Sequence, residues 1–281
     1  MEARHAAHRE PDATPLVRVV EATKIYPTRD GLLCALDRVS LDLRRGEFLA
    51  IVGPSGCGKS TLLLLIAGLI PLTSGRIYID GVPVDRPYTE LGIVFQDAVL
   101  FEWRRVLDNL MLPIEIRGLD RRRYRARAEE LLALVGLEGF ARKYPHELSG
   151  GMRQRVALCR ALIHDPPLLL MDEPFGALDA LTRDQLNLDL QSLWQQQRKT
   201  VLFITHSIEE AVFLADRVAV MSPRPGRIEA MLDIELPRPR TFDLRETPAF
   251  GRYTREIRRC FEAQGVLQGM VTAGRASASR E

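Results

Sequence analysis

Lysine is scarce in this chain: of 39 basic residues only four are lysine, and the others are arginine. An excess of charge of one sign is missing too. Against the 39 basic residues stand 37 acidic ones, a formal charge of +2, which excludes nucleic-acid binding through a broad basic surface. Cysteines are few and scattered. Cys34, Cys57, Cys159 and Cys260 form no C-x-x-C, which excludes a disulfide framework or a zinc site and fits a reducing cytosol. His146 and His164 likewise lack metal-ligand spacing. Long hydrophobic runs are absent as well. The longest, Leu62 to Leu72, has 11 residues and is broken by Pro71, whereas a membrane-spanning helix needs about 20. The opening stretch "MEARHAAHREPDATP" has no apolar core, so it reads as a loose arm over residues 1–14 and not as a secretory signal. The closing "TAGRASASRE" reads as a disordered tail.

What is present is enough for a sizeable core: 281 residues, 46% of them apolar, with no internal repeat. Leu16–Ala22, Leu32–Leu43 and "EFLAIV" read as strands, followed by a glycine-rich turn and an apolar helix from Lys59. "GRIYIDGVPV" predicts a hairpin turning at Asp80–Gly81. Leu119 to Val135 is helical and arginine-rich, and helical spacing continues after Ser149, so a helical insertion over about 97–160 interrupts an α/β fold. Beyond it, "PLLLMDEP" and "TVLFITH" read as buried strands and "LDALTRDQLNLDLQSLWQQQ" and "SIEEAVFLADR" as helices. Such alternation implies a parallel sheet with crossovers. The expected domain covers 15–236. A C-terminal extension, 237–281, is turn-rich and holds one helix whose Phe250, Ile257, Phe261 and Val266 are expected to fold back onto the domain.

Gly53, Pro54, Ser55, Gly56, Cys57, Gly58, Lys59 and Ser60, with Thr61 after them, spell G-x-x-x-x-G-K-[ST] between a strand and a helix. In that setting backbone N–H groups surround phosphates, Lys59 reaches the β and γ oxygens, and the Ser60 hydroxyl coordinates Mg²⁺. The lysine breaks the chain's arginine habit because a compact ammonium fits a closed ring of amides where a broad guanidinium does not. Cys57 reads as a small packing residue within this loop. Leu168–Pro174 delivers Asp172 and Glu173 to the C-terminal end of a strand, where open α/β sheets bind ligands. Asp172 matches the position that holds Mg²⁺ through water, and Glu173 can polarise an attacking water. Ser149, Gly150 and Gly151 open the helix "MRQRVALCRALI", so free N–H groups and a positive dipole end face an anion there. A helix terminus contributes up to about 2 kcal/mol, while micromolar nucleotide binding needs about 8 kcal/mol. This element must complete a site that others build.

L-S-G-G-x-x-Q-R at Leu148–Arg155, with the two phosphate motifs, resembles the nucleotide-binding subunits of ABC transporters over about Leu16 to Ile234. The resemblance implies a P-loop NTPase with a parallel-sheet core, an antiparallel β subdomain and an inserted helical subdomain. It implies ATP and Mg²⁺, and a head-to-tail dimer in which Ser149–Gly151 of one subunit cap the γ-phosphate held by the other. By the same resemblance Gln96 in "IVFQD" senses Mg²⁺ and the attacking water, and His206 in "FITHS" touches the γ-phosphate. Asp179 in "GALD" lies at the dimer interface, and Tyr26 in "KIYP" stacks on adenine. "VFQDAVLFEWRRVLDNL" is similar to the segment that receives the membrane subunit in importers of nitrate, sulfonates and taurine, although Phe101, Glu102 and Trp103 replace the usual L-P-W. The partners so implied are a second ATPase subunit, transmembrane permeases and, indirectly, a periplasmic or surface solute-binding protein, with the chain peripheral on the cytoplasmic face of the inner membrane. An exporter's ATPase shares this chemistry. A soluble ABC ATPase usually carries two cassettes or a long coiled-coil insertion, for which the spacing of 90 positions from Lys59 to Ser149 leaves no room. The run Arg121, Arg122, Arg123, Arg125 and Arg127 reads as a solvated helix face.

Overall fold

The computed structural model describes residues 14–29 and 31–266. The expected N-terminal arm, residue 14 apart, and the expected tail lie outside the described residues. The chain runs β1 (Val17–Thr28), β2 (Gly31–Leu43), β3 (Phe48–Val52), α1 (Lys59–Ile66), β4 (Ser74–Ile79), β5 (Val82–Pro83) and β6 (Leu91–Val94). Helices α2 (Val106–Ile116), α3 (Arg121–Leu134) and α4 (Gly150–Leu162) follow. The last part holds β7 (Leu168–Asp172), α5 (Ala180–Gln197), β8 (Thr200–Thr205), α6 (Ile208–Leu214), β9 (Arg217–Met221), β10 (Ile228–Asp233) and α7 (Pro248–Ala263).

A six-stranded sheet in the order β10-β9-β3-β8-β7-β6 forms the middle of the molecule. All its pairings are parallel except that of β10, which closes one edge antiparallel to β9. Its central strands read as unbroken apolar runs because both faces are covered. Phe48, Ala50, Val52, Val201 and Phe203 face one core with the helices α2 to α7. Leu49, Ile51, Leu202 and Ile204 alternate to the other side, against α1 and a second, antiparallel sheet ordered β2-β1-β4-β5. The Asp80–Gly81 turn between β4 and β5 has both residues at positive φ, 53° and 75°, as an Asp-Gly hairpin requires.

Three differences from the sequence reading have physical causes. β1 does not stop at Ala22: register shifts between Val19 and Lys24, with Glu21 at φ 46°, re-phase the strand and carry it to Thr28. Tyr26 therefore stands inside β1, opposite Leu33, and not beyond a strand. β6, with four residues, is too short to show a period, and the sequence reading places no strand at β9 or β10; β10 shows no regular alternation of buried and exposed positions. The arginine run is also not uniformly solvated. Arg121 pairs with Asp108 and Glu115 of α2, and Arg127 donates to the Leu162 and Ile163 carbonyls at 3.1 and 3.0 Å, capping the end of α4. Arg122, Arg123 and Arg125 keep to the exposed face, which Arg121 shares while it holds its two acidic partners.

The extension folds back as its apolar spacing suggests: Phe250, Ile257 and Phe261 are buried in the helical core and Val266 packs against it. Arg240 goes with it. Its side chain is 1% exposed and donates to the Val212, Phe213 and Ala215 carbonyls at 2.9, 3.1 and 2.8 Å, where α6 ends. Burial, with the neighbouring Arg238 charge added, draws this guanidinium down to about 9.

Helix α4 lies close on β6 at Gly92, where an added Cβ would run into the Ala161 carbonyl and lie 2.7 Å from Leu169 Cδ2. Backbone cannot yield cheaply there. Gly92→Ala is expected to lose about 2–3 kcal/mol in urea unfolding; a loss below about 0.5 kcal/mol would show that the helix can shift away.

Candidate active site

Parallel strands end on the same side of a sheet, so loops distant in sequence meet there. β3 leads into Gly53–Ser60, β6 into Gln96, β7 ends on Asp172 and hands over to Glu173, and β8 leads to His206. Four of the segments singled out from the sequence thus leave one edge of one sheet.

The glycine-rich loop needs its glycines for two separate reasons. Gly56 and Gly58 have φ of 73° and 105°, a region open to glycine at little cost. A Cβ on Gly58 would also lie 2.7 Å from Leu36 Cδ2 and 2.8 Å from the Ala35 carbonyl. Pro54 bonds back within the loop, accepting from the Cys57 amide at 3.3 Å. Ser55 is exposed and Thr61 lies half-buried in α1. Lys59 is 5% exposed. Its Nζ donates to the Gly53 and Pro54 carbonyls at 2.9 and 3.1 Å and lies 3.7 Å from Glu173 Oε1.

A second loop, unnoticed in the sequence, backs the first. Arg224 donates through Nε and Nη2 to the Gly56 carbonyl at 3.2 and 3.0 Å, and Gly226 approaches the Cys57 carbonyl so closely that a Cβ would overlap it. The signal available was the Pro-Gly pair in "SPRPGR", which marks a turn but not its neighbour.

Glu173 sits in a left-handed conformation, φ 46°, a strained setting for a side chain with a Cβ. Its amide donates to Ile204 O at 2.9 Å. Its two carboxylate oxygens face different partners: Oε1 faces Lys59 Nζ at 3.7 Å, and Oε2 lies 3.1 Å from His206 Nδ1. An ionised carboxylate only accepts, so Nδ1 carries the proton there and Nε2 is left to act outward. Gln96 belongs to the same cluster. A Cβ built on Gly176 would be 3.5 Å from Gln96 Nε2 and 3.7 Å from His206 Cε1. Asp172 faces the Ser60 hydroxyl, and its Oδ1 is buried without a hydrogen-bond partner. Burial raises this carboxyl above its ordinary range, and the nearby Ser60 hydroxyl opposes the shift. An orphaned buried acceptor beside a hydroxyl fits a hydrated divalent cation. Among the described residues no group of three or more His, Cys, Asp or Glu could hold a metal, so phosphate oxygens would have to supply the remaining ligands, as Mg²⁺ commonly uses them.

Ser149, Gly150 and Gly151 are placed elsewhere. Ser149 caps α4, its Oγ accepting from the Met152 amide at 3.3 Å. Gly151 lets the start of α5 come close, for a Cβ there would overlap Thr182 Cγ2. Asp179 caps α5 in turn, accepting from the Thr182 amide at 3.0 Å, a bond that holds its carboxyl below the usual range. No hydrogen bond or ion pair among the described residues joins Ser149–Gly151 to the Gly53–Thr61 loop. Tyr26 has Lys24 Nζ 5.0 Å from its ring centre and lies in the sheet whose β2 packs on Gly58.

A phosphate-binding loop ending β3, acids ending β7 and a helical insertion between them define a P-loop ATPase. A model described as ABC transporter matches residues 36–176. The chain is 50% identical over 249 residues to a taurine import ATP-binding protein of Rhizobium johnstonii, spanning 86% of this chain and 95% of that one. It is 39% identical over 252 residues to an aliphatic sulfonates import ATP-binding protein of Bacillus cereus, at 90% and 98% coverage. The dimeric bacterial ABC transporter cassette MJ0796 superposes with a TM-score of 0.70 at 34% identity, covering 78% of this chain and 99% of that one. The chain belongs to the ABC transporter family, as an ATP-binding, ATP-hydrolysing cassette.

Cys57, 1% exposed, lies against Gly53, where a Cβ would be 2.8 Å from its Sγ. Burial pushes its thiol up, away from the reactive thiolate. Iodoacetamide at pH 8 is expected to alkylate Cys57 at least about tenfold more slowly in the native protein than in urea. Equal rates, read by mass spectrometry, would contradict the packing role.

Proposed function

We propose that this chain is the ATPase subunit of an importer, peripheral on the cytoplasmic face of the inner membrane. It dimerises head to tail around two ATP molecules and drives permease subunits that receive a small solute of the taurine, aliphatic sulfonate or nitrate kind from a solute-binding protein. One observation carries this reading. Lys59, Glu173 and His206 gather at one place within 3.7 Å contacts, while the free amides at the start of α4 bond none of them. A second copy facing the first supplies those amides to the γ-phosphate. The identity to two import ATP-binding proteins supports the direction of transport and the class of solute.

In this reading the loop amides and Lys59 cradle the phosphates of ATP, and Tyr26 stacks on adenine. Ser60 and Gln96 would hold Mg²⁺, with Asp172 reaching it through water. When bound, that ion neutralises charge growing on the β and γ oxygens. Lys59 now holds Glu173 at 3.7 Å; an arriving γ-phosphate takes the ammonium and leaves the carboxylate free to accept a proton from water. The His206 ring, oriented by its Nδ1 bond to Glu173, turns Nε2 to the γ-phosphate. Asp179 lies at the dimer interface beside the partner's nucleotide.

Glu173→Gln keeps the shape and removes the base. Turnover is expected to fall by about 10²–10³, while light scattering with ATP and Mg²⁺ reports an accumulating dimer. Near-normal turnover would take Glu173 out of the base role. Vesicles carrying the permeases, the solute-binding protein and this chain test transport itself: ATP-dependent uptake of taurine is expected, and efflux would reverse the direction.

A further inference from the structure

The loop before α5 and the loop that carries His206 are tied together inside the chain. Arg183, in the first turn of α5, donates through Nη2 to Leu178 O at 2.8 Å, one residue before Asp179. Its Nε lies 3.6 Å from Glu210 Oε1, an ion pair without a hydrogen bond. Glu210, on α6, is 6% exposed. Its Oε2 accepts from Thr205 Oγ1 at 2.5 Å, and that hydroxyl accepts from the Ser207 amide at 3.0 Å. His206 stands between the two residues so fixed.

The C-terminal extension closes over this path. Arg245 pairs with Asp184, the neighbour of Arg183, at 2.8 Å. Its guanidinium also lies 5.0 Å from the Phe213 ring of α6 and 4.7 Å from the Phe242 ring, and those two rings stack at 5.5 Å. Five residues upstream, the Arg240 backbone exchanges two 2.8 Å bonds with the Gln191 amide of α5 while its side chain holds the end of α6. One strap thus grips both helices.

We propose that Arg245 and Asp184, acting through Arg183 and Glu210, are positioning residues that set where His206 stands relative to Asp179, so that the extension tunes ATP hydrolysis without touching nucleotide. The inference rests on the reading that His206 acts on the γ-phosphate. A strap that only adds stability would lower the melting temperature and leave turnover alone, which gives the test its discriminating arm.

In the full chain, Arg245→Ala and Asp184→Ala are each expected to lower kcat about fivefold with the ATP dissociation constant unchanged within about twofold. Reversing the pair, Arg245→Asp with Asp184→Arg, is expected to recover most of the loss. In the nucleotide-free protein, amides over 178–184 and 205–210 should exchange hydrogen faster together in each single variant. Wild-type kcat in both single variants, or unchanged exchange in the two loops, overturns the proposal. Should Arg245→Ala fail to fold, Arg245→Lys and Asp184→Asn carry the same measurements. A wild-type protein without ATPase activity would instead count against the proposed function, and the exchange data would still decide whether the strap holds the loops.

Discussion

An ammonium almost withdrawn from water has to be answered by oxygen, and the edge of the parallel sheet is organised around that demand at Lys59. An unpaired buried ion costs several kcal/mol. Two loop carbonyls and one oxygen of Glu173 meet it here. The carbonyls come from the loop's own backbone, which must fold back at Gly56 and Gly58, and β2 closes the space behind Gly58. The carboxylate comes from a residue turned into the left-handed region by a bond to Ile204 O. Its second oxygen then lies on His206. Charge compensation at one lysine therefore ties together the loops that leave β3, β7 and β8, whose ends the parallel ladder already sets side by side.

The rest of the molecule answers a different electrostatic demand with arginine. Arg127, Arg155, Arg160, Arg183, Arg224 and Arg240 all donate to backbone carbonyls in loops or at helix ends. A planar fork with five donors suits that task, since it can satisfy two or three carbonyls at once. The carbonyls left over at a helix end are the groups most in need of such partners. At these six positions the guanidinium serves as a carbonyl clamp, while at Lys59 the ammonium enters a ring of loop carbonyls where a fork would not fit.

That division also decides what could be read from the sequence. The loop at Gly53–Ser60, the acids at 172 and 173 and the helix opening at Ser149 are legible because their chemistry is spelled by adjacent residues. The alternation β7, α5, β8, α6 after Leu168 is legible because its strands are unbroken apolar runs and its helices keep helical spacing. Arg224, Arg127 and Arg240 were not, because the partner in each case is a carbonyl, and every residue has one. Nothing in a carbonyl's residue type announces that an arginine 168 positions away will bind it, as Arg224 binds Gly56. β1 beyond Ala22 escaped because a bulge at Glu21 shifts the register and scrambles the alternation that marks a strand.

The placement of Gln96 follows from the helix that bears Ser149 rather than from the sheet alone. β6 is four residues long and lies at the sheet's edge, too short to hold a loop rigidly by its own ladder. Gln154, 4% exposed on α4, donates to the Phe95 carbonyl at 2.9 Å, immediately before Gln96. Arg160, two turns on, donates to the Ala98 and Val99 carbonyls at 2.8 Å. The loop is therefore gripped on both sides of Gln96 by one helix, and Gly92 lets that helix lie against β6 without a side chain between. A rigid helix that holds the Gln96 loop along its length and offers its free amides at Ser149 makes these two features one body.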